Sequence, residues 1–251
     1  MRPFVSVAVA AGLAVSLAAC NDSKTNSATP STSTSSAPAT TPAPTPTATA
    51  SKPSVTPAAP APRTQAALTK ALLALPDLQP GFAIDPDAGG DDGTKLSSSN
   101  PKCAKLVELF NADKSPGAKV AVTRGFSGGQ NGPFVEQTLE AMPSAKATAA
   151  HLAVIKTAIK SCTKAKLTIS GAGSSTMTVT EVAAPKTGTA PVAVRFAADS
   201  GALEGLEVYF AFTGLDDVLL SMNFDFADIG APMLAASAKA SKTLGTSTTG
   251  A

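Results

Sequence analysis

The 251-residue chain contains one histidine and no tryptophan. A single imidazole excludes most metal centres built on several histidines. Any histidine-dependent catalysis would have to use His151. Positive charge is also short. The whole chain carries a formal +2, but Arg2, Lys24, Lys52 and Arg63 all precede residue 64, and from there 16 Lys or Arg stand against 17 Asp or Glu. A domain with no positive balance and no basic run lacks the counterion release that drives nucleic-acid binding, so no nucleic-acid partner is expected. After residue 20 there is no apolar run long enough to span a membrane. Cysteine is limited to Cys20, Cys103 and Cys162.

What is present begins with a leader. Arg2 gives a short positive start, and Phe4–Ala19 is an apolar run slightly too short for a typical spanning helix. It closes on Leu17-Ala18-Ala19-Cys20, which reads as a bacterial lipobox. Small residues at 18 and 19 admit a lipoprotein signal peptidase, and the Cys20 thiol is the nucleophile that accepts a diacylglyceryl group. Residues 1–19 are then the signal peptide and Cys20 the lipidation site. The mature chain would be held by its lipid on the extracytoplasmic side of the cell membrane, anchored and not spanning. An ordinary secretory leader is the alternative. Residues 21–63 hold 9 Pro, 18 Ser or Thr and 9 Ala, with Val55 the only large aliphatic. Such a tract cannot bury enough apolar area to fold, so 20–63 reads as a lipidated cysteine followed by an extended spacer.

The spacing from residue 64 predicts one domain over 64–245 and a disordered tail at 246–251. Thr64 caps a short helix with Leu68, Leu72 and Leu75 on one face, ended by Pro76. Asn100 and Pro101 open a second helix, with Cys103, Leu106, Val107 and Phe110 on its apolar stripe. The period then changes to two around Val120 and Val122. A glycine-rich hairpin loop and a run from Phe134 to Met142 follow. A long helix from Ser144 to about Lys164 carries Leu152, Ile155, Ile159 and Cys162 inward, with Lys156, Lys160 and Lys164 outward. Strand-like runs at 167–182, 192–196, 206–212 and 218–226 precede an Ala-rich final helix with Pro232 in its first turn. Sequential strands with short connections imply antiparallel pairing. The expected class is α+β: a single curved antiparallel meander sheet with helices packed on one face.

With Cys20 lipidated, Cys103 and Cys162 remain, both on inward helix faces. In an oxidising compartment they form a disulfide, or they stand as two buried thiols. Catalytic and metal motifs are weak. Gly125–Gly129 is no phosphate loop, because no Gly-Lys-Ser/Thr follows. No Gly-x-Ser-x-Gly elbow precedes a helix. The acidic loop Asp85, Asp87, Asp91, Asp92 fails the calcium-loop spacing, since Leu96 stands where a bidentate Glu is needed. Asp216-Asp217 suit a hairpin tip for backbone reasons. No cofactor or metal is expected.

A lipobox, a Pro/Thr spacer, Leu72–Phe82 with Asp77-Leu78-Gln79-Pro80-Gly81-Phe82, a Cys-bearing helix, a helix ending in Cys162 and a closing meander together resemble the PknH-type extracellular sensor domain. That domain is found in actinobacterial receptor Ser/Thr kinases and in stand-alone lipoproteins. The resemblance implies a curved sheet with a groove and a sensing or binding role at the cell surface. This chain has two cysteines in the domain where members often have four, and no kinase domain.

Sheet register decides which residues face a groove. A turn centred near Gly201 would pair Val194 with Val208, Phe196 with Leu206 and Arg195 with Glu207. A turn at Gly214-Leu215-Asp216 would pair Phe212 with Val218 and Phe210 with Leu220. Val194, Val208 and Met222 then share the helix-covered face, and Arg195, Tyr209, Ser221 and Asn223 share a wetter face that is the candidate ligand surface. Three functions fit: a non-catalytic sensor or ligand-binding module with an envelope ligand or protein partner, a lipid or glycolipid carrier, and an envelope hydrolase using His151. The first, not an enzyme, agrees best with the inventory.

Overall fold

The computed structural model describes residues 63–90, 93–129 and 132–246. The leader, the Cys20 lipobox, the spacer up to residue 62, Asp91, Asp92 and residues 247–251 lie outside the described residues.

Thr64 caps the first helix as its residue type predicts. Its hydroxyl accepts from the Ala67 N–H at 3.2 Å, and α1 runs Gln65–Ala71 with Leu68 buried. The helix stops short of Pro76, at an extended Leu72, and Leu75–Asp77 forms a separate 3-10 turn. Two short strands follow that the sequence did not announce, β1 (Ala83–Asp85) and β2 (Lys95–Ser97). Three residues each is too short for alternation to register. The Asn100 side chain caps a 3-10 turn at Pro101–Cys103, which feeds α2 (Ala104–Phe110). The hairpin β3 (Val120–Ser127) and β4 (Phe134–Ala141) leads to α3 (Ala145–Ser161), capped by Ser144. Cys162 is already extended, and Lys164 begins β5 (Lys164–Ile169) instead of closing the helix. The chain then runs through β6 (Gly173–Val182), β7 (Thr189–Ala198), β8 (Glu207–Leu215), β9 (Val218–Phe224) and α4 (Gly230–Leu244).

All nine strands form one antiparallel sheet in the order β1-β3-β4-β9-β8-β7-β6-β5-β2. The α+β expectation with a single antiparallel sheet holds. The sheet must curl. Its two edge strands, β1 and β2, are separated by residues 86–94 only, and the first five of these form a turn. That connection reaches about 35 Å at full extension, whereas nine flat strands would set the edges roughly 38 Å apart.

The helices occupy both faces of this sheet, not one. Ile155 and Ile159 of α3 and Leu106 of α2 cover Met177, Val179, Val192, Val194 and Phe196, and Leu152 of α3 packs with Ala118, Met142 and Leu219. On the opposite face Leu68 and Leu72 with Met233, Ala236 and Ala240 of α4 cover Val122, Phe126, Leu139, Leu220, Met222 and Phe224. The reason lies in β7–β9, where successive residues are buried on alternate faces, so neither face could be left to solvent. Each fully buried side chain of this size contributes about 1.5–3 kcal/mol relative to exposure. The two helical layers cover different halves: α3 lies over β6–β8, and α1 with α4 over β3, β4, β9 and β8.

Register corrects the face assignment. Phe196 stands opposite Val208 and Val194 opposite Phe210, two residues from the expected pairing, so faces on β7 and β8 are preserved. At the next turn Leu215 pairs with Val218 across a two-residue loop, Asp216-Asp217, with Asp216 at φ 53°. Aspartate tolerates that left-handed conformation, so no glycine is needed at the tip. The expected turn at Gly214-Leu215-Asp216 was misplaced by an odd offset in pairing, which exchanges faces. Met222 therefore joins Ala211 and Tyr209, while Ser221 and Asn223 stand opposite Phe212 and Phe210.

Candidate functional site

Because α3 stops short of β3, β4 and part of β9, those strands expose one face. The sequence of β4 anticipates this. Val135, Gln137, Leu139 and Ala141 point into the core, and Glu136, Thr138 and Glu140 alternate with them. The cross-strand rows are Gly125–Glu136–Asn223–Phe210 and Thr123–Thr138–Ser221–Phe212. Polar side chains on β3, β4 and β9 thus run directly into aromatic ones on β8.

This surface floors a cleft of about 640 Å³. Phe110, the last residue of α2, builds one wall by standing on Phe210 and Phe212, with ring centroids 4.8 and 6.0 Å apart. The Cys103–Cys162 disulfide ties the start of that short helical segment to the end of α3. Residues 111–117 carry the wall across. Asn111 bonds both backbone groups of Leu96 at 2.8 and 2.7 Å, and the Ser115 N–H donates to Glu140 Oε1 at 2.6 Å. The 86–90 turn closes the other side, with the Gly89 N–H donating to Glu136 Oε2 at 3.0 Å. Gly125 has to be glycine here, since a Cβ would lie 2.3 Å from that of Ala88.

His151 lines the cleft from α3 and is almost wholly buried. Burial lowers its pKa below the ordinary value, partly offset by the Glu140 carboxylate and reinforced by Lys105. A histidine with a depressed folded pKa binds fewer protons than the unfolded chain, so stability is full above about pH 6.5 and falls as pH drops below it. His151→Gln should remove that part of the pH dependence. Denaturant midpoints measured between pH 7.5 and 5 check it, and an unchanged slope in the variant would contradict it.

Of the expected ligand residues, Ser221 and Asn223 line the cleft, and Arg195 and Tyr209 do not. Those two share the opposite face. Tyr209 is only 8% exposed, in the core with Phe224, and its hydroxyl donates to Glu207 at 2.7 Å. Arg195 pairs with Glu207, and that bond holds the carboxylate below its usual range. Glu136, Glu140, Thr123, Thr138 and the three phenylalanines were missed as site residues. Their one legible signal is the polar alternation of β4, which marks a bare face once β4 is known to be central. Among the described residues, no group of three or more His, Cys, Asp or Glu is placed to hold a metal ion, and no helix is long and apolar enough to cross a membrane.

No family model matches the chain, and no curated protein does. Among solved structures it is similar to the crystal structure of the extracellular domain of PknH from Mycobacterium tuberculosis. The superposition covers 74% of this chain and 98% of that one, with a TM-score of 0.53 and 17% identity. The chain has the fold of the PknH extracellular domain. At that identity the likeness to PknH is one of fold, and the cleft is described from this chain's own residues.

Proposed function

We propose that the chain is a non-catalytic ligand-binding module of the cell envelope, held by a lipid on Cys20 and using the cleft between β3/β4/β9 and α2/α3. The observation that carries this reading is the cleft itself: a large concavity with a polar floor and an aromatic wall, assembled from five strands and two helices. Concave sites of this volume and mixed character are typical of small-molecule binding. The fold relative is an extracellular domain, which supports an extracytoplasmic location.

Hydrolysis through His151 is disfavoured by geometry. Among the described residues His151 hydrogen-bonds no hydroxyl, and the Ser115 hydroxyl in the same cleft donates to Glu140 instead. A lipid carrier is disfavoured by the floor. An acyl chain lying there would strand polar groups at about 1–3 kcal/mol each.

Asn223→Trp should fill the cleft and abolish recovery of any small molecule that co-purifies with the full chain from bacterial envelope, as read by native mass spectrometry. Retention of the same adduct by the variant would contradict the site. Cys20→Ala should leave the protein unprocessed or released from membranes on fractionation, and unchanged attachment would refute the lipid anchor.

A further inference from the structure

The chemistry of the cleft narrows its ligand. The Thr123 and Thr138 hydroxyls share one hydrogen bond at 2.9 Å, which uses one of their two protons. The other proton has no protein acceptor among the described residues, and the Ser221 hydroxyl likewise has no protein partner there. Asn223 donates through Nδ2 to Glu136 at 3.2 Å, leaving its amide oxygen to accept. The floor therefore presents neutral donors and acceptors side by side on adjacent strands.

Charged ligands fit less well. The lining carries Asp113, Glu136 and Glu140 against Lys95 and Lys114, so an anion would meet carboxylates on the floor. A cation would have to compete for carboxylates already bonded internally, Glu140 by Ser115 and Glu136 by Gly89 and Asn223. A wholly apolar ligand strands the hydroxyls. What remains is a molecule with hydroxyls on its edges and a C–H face able to lie on the half-buried Phe210 and Phe212.

Resting on the binding role argued above, we propose that the cleft takes a neutral, hydroxyl-rich ligand of the carbohydrate class. Sugar hydroxyls would meet the Thr123–Thr138–Ser221 row and Asn223, and ring faces would lie against Phe210 and Phe212.

The test is amide NMR of the full chain titrated with maltotriose, with triacetylchitotriose and with a bacterial envelope extract before and after periodate, which cleaves vicinal diols. Sodium decanoate and spermidine serve as an apolar anion and a cation. The expected result is saturable shifts at Thr138, Ser221 and Asn223 with a trisaccharide, or with extract in a periodate-sensitive way. Ser221→Ala and Asn223→Ala should weaken binding about tenfold each, the equivalent of roughly 1.4 kcal/mol. Lys166→Ala, on the outer face of β5, should leave it unchanged. Cleft shifts from decanoate, spermidine or periodate-resistant extract, with none from sugar, would overturn the carbohydrate class and leave the binding role standing. Shifts confined to other surfaces would overturn both.

Discussion

Replacing Cys103 and Cys162 together by serine should lower the stability of the domain by about 4 kcal/mol, the chain-entropy value for a loop of this length. The two cysteines are 59 residues apart and both fully buried, so the unfolded chain gains the freedom of the whole segment that holds β3, β4 and α3. For a domain of this size that corresponds to a fall of roughly 10 °C in Tm. The loss should also reach the cleft. Without the bridge, α2 is held by the packing of Leu106 and Phe110 and by the Asn111–Leu96 bonds that follow it, and Phe110 is the aromatic wall. Ligand recovery should therefore fall further than the loss of folded protein accounts for. Thermal melts of oxidised, reduced and serine forms check the first point. A serine variant within about 1 kcal/mol of the oxidised protein would contradict it.

The second large effect is expected at Gln137. This residue is fully buried on the core side of β4, and its Oε1 accepts from the Leu73 N–H at 2.7 Å. From β3, Arg124 donates to the Leu73 carbonyl at 2.6 Å. Two side chains thus satisfy the backbone at the point where the chain leaves α1. Gln137→Ala strands a buried N–H and opens a cavity, and we expect a loss of about 2–4 kcal/mol. Gln137→Leu refills the volume and removes a buried Nε2 that has no partner, so it should lose less, about 1–3 kcal/mol. Denaturant midpoints at constant m-value measure both. Equal losses in the two variants would show that the hydrogen bond, not the volume, sets the cost.

The elements with strong local signals were legible in the sequence. Thr64, Asn100 and Ser144 cap where their residue types require, and the alternation around Val120 and Val122 and over Val218–Phe226 marks strands, although Gly125–Ser127, expected in the hairpin loop, continue β3. What local pattern could not convey was pairing. Asp216 takes a left-handed conformation open to few residues other than glycine, so the glycine at 214 drew the expected turn to the wrong place. The odd error in pairing moved Ser221 and Asn223 across the sheet relative to Arg195 and Tyr209. The cleft depends on which half of each face a helix leaves bare, and helix placement is a long-range property. Phe110, Phe210 and Phe212 looked like ordinary core, and only the position of α2 turns them into a wall.

This face, bounded by β4, β9 and Phe110, is the proposed working surface of the protein. Hydrogen exchange of the full chain, with and without envelope extract, tests it most directly. Slowed exchange should concentrate on the Glu136–Glu140 and Ser221–Asn223 strands and on residues 109–115, with Arg195 and Tyr209 unaffected. Protection centred instead on the outer face around Lys166, Thr178 and Arg195, with the cleft strands unchanged, would contradict the account.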